Sequence, residues 1–311
     1  MAAPGPCQIA SPLVFSYPEL RPDPELLAWI EAGLVAGVVI FGANAPDDDI
    51  LTEAVRTLRR HAGERPFRVM IDEEGGDVRR LQETDRSMRP LRHYRTEGPA
   101  AAAQAYVGVA RRLKAIGIDT LLAPVVDVSG PDAAWLGMRT YSDDPDEVAH
   151  MARAVITAVQ NEGIDCCAKH FPGTRGVARD THLGAAEDPT PLTDWERLDA
   201  PPFRAAITAG VRAVMVGHQK LLGFDAIRPA CLSPLIVSVL LRERLGFIGC
   251  ILTDDLAMGA VAGHYPIESA VEAALVAGCN QVLICHDRVL QRRAVTLWQE
   301  MCRRNAGTAP S

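Results

Sequence analysis

The chain has 311 residues, 48% of them apolar and 23% charged. That is enough to bury one large core, and α/β barrels of this size remain a single domain. A net charge of -7 with no Lys/Arg run longer than two residues excludes a basic footprint for nucleic acid or for an anionic membrane surface, so the expected partner is a small molecule.

The N-terminus, MAAPGPCQIASPLVF, lacks the basic and apolar regions of a secretory leader. No run of about 18 apolar residues occurs anywhere, so the expected location is the cytoplasm. From there short β-branched runs alternate with helical patterns. SPLVF precedes PDPELLAWIEAGLVAG, GVVIFG precedes DDDILTEAVRTLRRHAG, and FRVMID is followed after a longer connection by PAAAAQAYVGVARRLKAIG. TLLAPVVDV leads to DEVAHMARAVITAVQNEG, CCAKHF to APPFRAAITAG, AVMVGH to SPLIVSVLLRERLG, CILTDD to PIESAVEAALVAG, and QVLICH comes last. Several helical patterns end at a glycine, as a left-handed C-cap requires, and Ser233-Pro234 reads as a helix start closed by Gly246. Eight such strands are what a (β/α)₈ barrel needs, and no linker divides the chain. The expectation is one α/β domain over residues 1–311; the rival, a doubly wound sheet, would reverse direction at a crevice. Eight cysteines without CxxC spacing, Cys166 and Cys167 adjacent in an apolar run, read as buried thiols and not as a disulfide framework or a zinc site.

Polar residues fall at one place in this rhythm. Asp72, Asp127, Lys169 with His170, His218, Asp254 with Asp255, and His286 with Asp287 each lie at the C-terminal end of a strand. In a barrel those ends converge on one mouth, where the βα loops build active sites. Any one such Asp could cap a helix or a turn; six strand ends together are hard to explain so.

IDEEGGDVRRL, APVVDV, KHFPG followed by DTH, and LRERLGFIGCILTDDLAM resemble glycoside hydrolase family 3, in its single-domain β-N-acetylhexosaminidase branch of the peptidoglycan-recycling type. The resemblance runs from about Val38 to His286. It implies a (β/α)₈ barrel and a retaining hydrolase that removes terminal β-linked N-acetylglucosamine with neither metal nor organic cofactor. It also implies that Asp254 is the nucleophile and that Asp180 and His182 are an acid/base dyad standing where other branches use a glutamate. Asp72, Arg139, Lys169 and His170 match positions that contact the sugar, and His218 and Met258 are expected to line the pocket.

The residues support this chemistry independently. A retaining glycosidase needs one group to attack the anomeric carbon and another to protonate the leaving oxygen. Histidine, with a reference pKa near 6.5, can give and take a proton at neutral pH, and an aspartate beside it would orient the ring. Asp255 reads as a cap of the following helix, Glu74 as structural, and Gly173 and Gly176 as a source of loop freedom. The chain departs from the common KHFPGHG at Thr174 and Arg175, which leaves the substrate open. Three readings stand at this point: a β-N-acetylglucosaminidase, a related glycosidase or phosphorylase acting with another acceptor or sugar, and a non-catalytic sugar-binding barrel.

Overall fold

The computed structural model describes residues 11–81, 88–130, 134–178, 184 and 186–307. The strands among them are β1 (Leu13–Phe15), β2 (Gly37–Ile40), β3 (Arg68–Ile71), β4 (Thr120–Leu121), β5 (Asp165–Phe171), β6 (Glu187–Asp188), β7 (Ala213–Val216), β8 (Lys220–Leu221), β9 (Cys250–Asp255) and β10 (Gln281–Ile284). Eight of these close into a parallel barrel in the order β1-β10-β9-β7-β5-β4-β3-β2. The first and last strands seal it, Leu13 opposite Val282 and Phe15 opposite Ile284. The eight barrel strands are the eight apolar runs of the sequence. The short parallel pair of β6 and β8 was not expected.

Successive side chains of a strand face opposite ways, and the burial follows that period. Leu13, Phe15, Val38, Ile40, Val69, Ile71, Val214, Val216, Val282 and Ile284 belong to the large core between strands and helices. The alternate residues, Val14, Val39, Met70, Leu122, Cys167, Met215, Leu252 and Leu283, form a separate cluster that fills the barrel interior. Two residues beyond Met70, Cys167 and Leu252 in the same phase stand Asp72, Lys169 and Asp254. Strand parity therefore aims these three groups at the mouth.

Two strands break the period where the chemistry lies. Ala168 to Phe171 of β5 spans the same length as Val214 to Val216 of β7, and Leu252 to Asp255 of β9 spans Gln281 to Leu283 of β10. Each is a bulge with one extra residue, a device that re-aims side chains near active sites. It lets Lys169 and His170, and likewise Asp254 and Asp255, line one cavity although they are neighbours in the chain.

The helices begin as their sequences require. Asp23 and Asp47 accept from Leu26 N at 3.0 Å and Ile50 N at 2.7 Å, capping Pro24–Glu31 and Asp48–Ala62. Asp144 caps Pro145–Asn161, with proline at its first position. The segment Leu235–Arg244 is wound with π-type bonds, Leu245 N donating to Leu240 O at 3.1 Å, where an α-helix was expected. Among the described cysteines Cys166 and Cys167 are buried, whereas Cys302 is exposed. No helix among the described residues is long and apolar enough to cross a membrane.

Candidate active site

A cavity of about 200 Å³ opens at the C-terminal ends of the barrel strands, floored by Val39, Met215, Leu283 and Cys285. A smaller one of about 90 Å³ lies at the opposite end, among Arg68, Thr120, Asp165 and Arg212. Asp72, Lys169, His170 and Asp254 line the first.

Bonding and charge separate the adjacent carboxylates of β9. Asp254 is half-buried, and its Oδ1 accepts from Asp255 N at 2.8 Å. Burial opposes its charge, but the basic side chains around it and the Asp255 amide outweigh burial and hold the carboxyl below its ordinary range. Asp255 is pushed the other way by burial. Its Oδ1 accepts from Ala257 N at 3.0 Å and Cys285 N at 3.1 Å. It therefore ties the end of β9 to β10 and does not cap the next helix, which begins after Met258. One carboxylate is ionised and reachable; its neighbour is structural.

Opposite Asp254, Lys169 stands 2.5 Å from Asp72 Oδ1 and 2.6 Å from Glu74 Oε1. Glu74 also takes both Arg139 Nε at 2.8 Å and Nη2 at 3.0 Å, a two-point pairing. Burial would raise the Glu74 carboxyl, yet Lys169 and Arg139 hold it well below the usual carboxylate range. Burial would lower the Lys169 ammonium, but Asp72 and Glu74 keep it charged. Glu74, expected to be structural, thus orients Lys169 and Arg139. Its backbone is fixed as well, since the buried Tyr106 hydroxyl donates to Glu74 O at 3.0 Å. Next to Lys169, His170 places Nδ1 2.7 Å from Asp127 Oδ2. That buried carboxylate holds the ring and leaves Nε2 to the pocket.

Asp72, Arg139, Lys169, His170, Asp254 and Met258 all line the cavity. His218 is not among the lining residues. It is 1% exposed, with Nε2 2.8 Å from Asp255 O and Nδ1 3.2 Å from Cys231 Sγ, so the structure sets it behind the pocket wall and not in it. Asp180 and His182 lie outside the described residues. The loop that leads to them is pinned at its base. Trp195 Nε1 donates to Pro172 O at 2.7 Å, Gln219 Nε2 to Gly173 O at 2.5 Å, and Trp135 Nε1 to Val177 O at 2.8 Å. Arg175 Nη1 reaches Ser129 O at 2.7 Å. Gly173 and Gly176 serve this close packing: a Cβ on them would stand 2.7 Å from Asp199 Oδ1 and 2.2 Å from Asp188 Oδ1. The expected role of loop freedom does not describe them.

One charged lining residue, Arg80, escaped the sequence reading. Arg80 reaches the rim because the turn after β3 folds back, Glu74 N donating to Val78 O at 2.8 Å. Glu73 Oε2 then accepts Arg80 N at 2.6 Å and Leu81 N at 3.1 Å. The Arg80 guanidinium lies 5.4 Å from the Phe41 ring, which packs 4.3 Å from the His286 ring. The glycine pair in EEGGDVRR marked the turn, but nothing in the sequence said which arginine it would carry inward.

Residues 8–300 match the family model described as glycosyl hydrolase family 3 N terminal domain. A protein named beta-hexosaminidase from Xylella fastidiosa is 37% identical over 269 residues, 84% of this chain and 79% of its own. Native NagZ from Neisseria gonorrhoeae superposes with a TM-score of 0.83 at 28% identity, covering 93% of this chain and 89% of that one. The same NagZ in complex with N-trifluoroacetyl-D-glucosamine gives a TM-score of 0.83 at 27% identity, covering 94% and 89%.

Proposed function

The chain belongs to glycosyl hydrolase family 3, and on that premise we propose that this glycoside hydrolase is a retaining β-N-acetylglucosaminidase working through a covalent glycosyl-aspartate. The observation that carries the reading is Asp254, a carboxylate held ionised at the edge of a sugar-sized pocket. It faces Asp72, Lys169 and Arg139, which can accept from and donate to hydroxyl and acetamido groups.

In this mechanism the sugar ring is held by Asp72, Lys169, Arg139 and Arg80 while Asp254 attacks the anomeric carbon. A bond forms from a carboxylate oxygen to that carbon as the bond to the leaving oxygen breaks. His182, oriented by Asp180, gives its proton to the leaving oxygen. It then takes one from the water that opens the ester, so configuration is retained. The β-hexosaminidase relatives support the amino sugar, and peptidoglycan fragments are the proposed source. One observation favours a second assignment of the proton transfer: His170, already paired with Asp127 at 2.7 Å, offers another histidine–aspartate couple beside Asp254.

The test is release of phenol from an aryl β-N-acetylglucosaminide with and without phosphate. Release that is independent of phosphate supports the hydrolase. Faster release in phosphate, with sugar 1-phosphate as product, would make the enzyme a phosphorylase. No release would reject the reading.

A further inference from the structure

We infer that His218 and Cys231 form a positioning pair for the nucleophile, acting through the backbone that follows it; this rests on Asp254 being the nucleophile. His218 follows β7, is buried, and does not line the cavity, so its ring has no route to a sugar. Both of its nitrogens are engaged. Nε2 stands 2.8 Å from Asp255 O, and a carbonyl oxygen only accepts, so Nε2 bears the hydrogen. In the proposed pair the Cys231 thiol at 3.2 Å donates to Nδ1. Cys231 is fully buried and is fixed in place: its N–H donates to Gly217 O at 3.1 Å, and its own carbonyl accepts the Cys279 thiol at 3.5 Å.

The relay runs from Cys231 S–H to His218 Nδ1, and from His218 Nε2–H to the Asp255 carbonyl. On the other side of that peptide, Leu256 N donates to Leu283 O at 2.8 Å, and the Asp255 amide donates to Asp254 Oδ1. The residue after the nucleophile is thus held at its amide, its side chain and its carbonyl, and the carbonyl is shared by Met258 N at 3.0 Å and His218 Nε2. Loss of the His218 half of that hold lets the carboxylate drift from its line of attack. Sugar binding, set by Asp72, Lys169 and Arg139 elsewhere on the barrel rim, is untouched. Small misplacements of a reacting group are costly in rate and not in binding.

The test compares Cys231→Ser, Cys231→Ala and His218→Ala with the wild type. A hydroxyl can replace the thiol as donor, so Cys231→Ser keeps kcat within about twofold. Cys231→Ala loses about three- to tenfold and His218→Ala about tenfold or more in kcat, with KM within about twofold, the size of one hydrogen bond. Trapping with 5-fluoro-N-acetylglucosaminyl fluoride counts competent sites, so kcat is read per folded molecule, and its labelled peptide identifies the nucleophile. Imidazole nitrogen NMR adds a readout independent of activity, with His218 expected as the Nε2–H tautomer. Equal kcat in Cys231→Ala and wild type, or a fall in Cys231→Ser as large as in Cys231→Ala, overturns the pair while Asp254 stays labelled. A label on another residue overturns the nucleophile and the pair with it.

Discussion

Replacing Lys169 by methionine tests the electrostatics of the pocket. The ammonium is 3% exposed, against side-chain values of 17% for Asp72 and 3% for Glu74, so its loss removes the cation these two carboxylates share. Removing one partner of a buried ion pair costs about 3–5 kcal/mol. Arg139 still pairs with Glu74, which places the expected loss near the lower end, about 3 kcal/mol. At roughly 2–4 °C per kcal/mol for a large domain, Tm should fall by roughly 6–12 °C. The pH dependence follows from Glu74. Its carboxyl is lowered in the fold, so its contribution is present above the unfolded value of 4.5 and is lost as pH falls through the folded value. Without Lys169 that lowering shrinks, so the penalty should hold steady between about pH 8 and about pH 5 and narrow as pH falls below 4.5 towards about pH 3. Urea unfolding followed by circular dichroism across that range measures it, and Lys169→Met combined with Glu74→Gln should recover part of the loss. A penalty under about 1 kcal/mol, or one that does not change with pH, would refute a network held by mutual charge.

Asp254→Asn should lower turnover by about 10³-fold or more while N-acetylglucosamine binding by calorimetry persists, because an amide cannot form the ester. Proton NMR of early product should show the β-anomer, and an α-anomer appearing first would exclude retention. His182→Ala should slow substrates with poor leaving groups by about 10²–10⁴-fold and activated aryl glycosides far less; if His170→Ala has that signature instead, the proton donor is His170. Asp199 is 2% exposed, and burial with Asp188 and Asp127 nearby raises its carboxyl well above the ordinary range despite the Arg175 guanidinium and amide. The native state then holds a proton that the unfolded chain releases, so stability falls as pH rises from about 4 towards the folded value. Asp199→Asn should flatten that slope in thermal melts, and an unchanged slope would contradict the assignment.

The barrel was legible because the strands are short β-branched runs, six of the eight ending in a polar residue, and because alternation along each run sorts residues between two cores. The same alternation separates Asp254 from Asp255, provided one knows which phase faces inward. Sequence could not locate the bulges in β5 and β9, since an extra residue shows only against the partner strand. Hence a pocket role for both Lys169 and His170 rested on resemblance. His218 looked like a pocket residue because it ends a strand as the others do. The thiol and carbonyl that hold its ring come from segments far along the chain, and no local pattern announces them. Arg80 was hidden for a similar reason, as its direction is set by Glu73 through backbone bonds across a turn.

Closure of β1 against β10 has a consequence for the growing chain. Asp72, Lys169 and Asp254 belong to β3 or its end, β5 and β9, and Cys285, which floors the pocket, lies just past β10. A nascent chain emerging from the ribosome therefore has no sugar site until its last barrel strand is free to pair with its first. Fragments cut between β5 and β7 should each be silent and become active only when the two halves meet, so hydrolysis of a chromogenic sugar would serve as a clock for the moment the ring shuts.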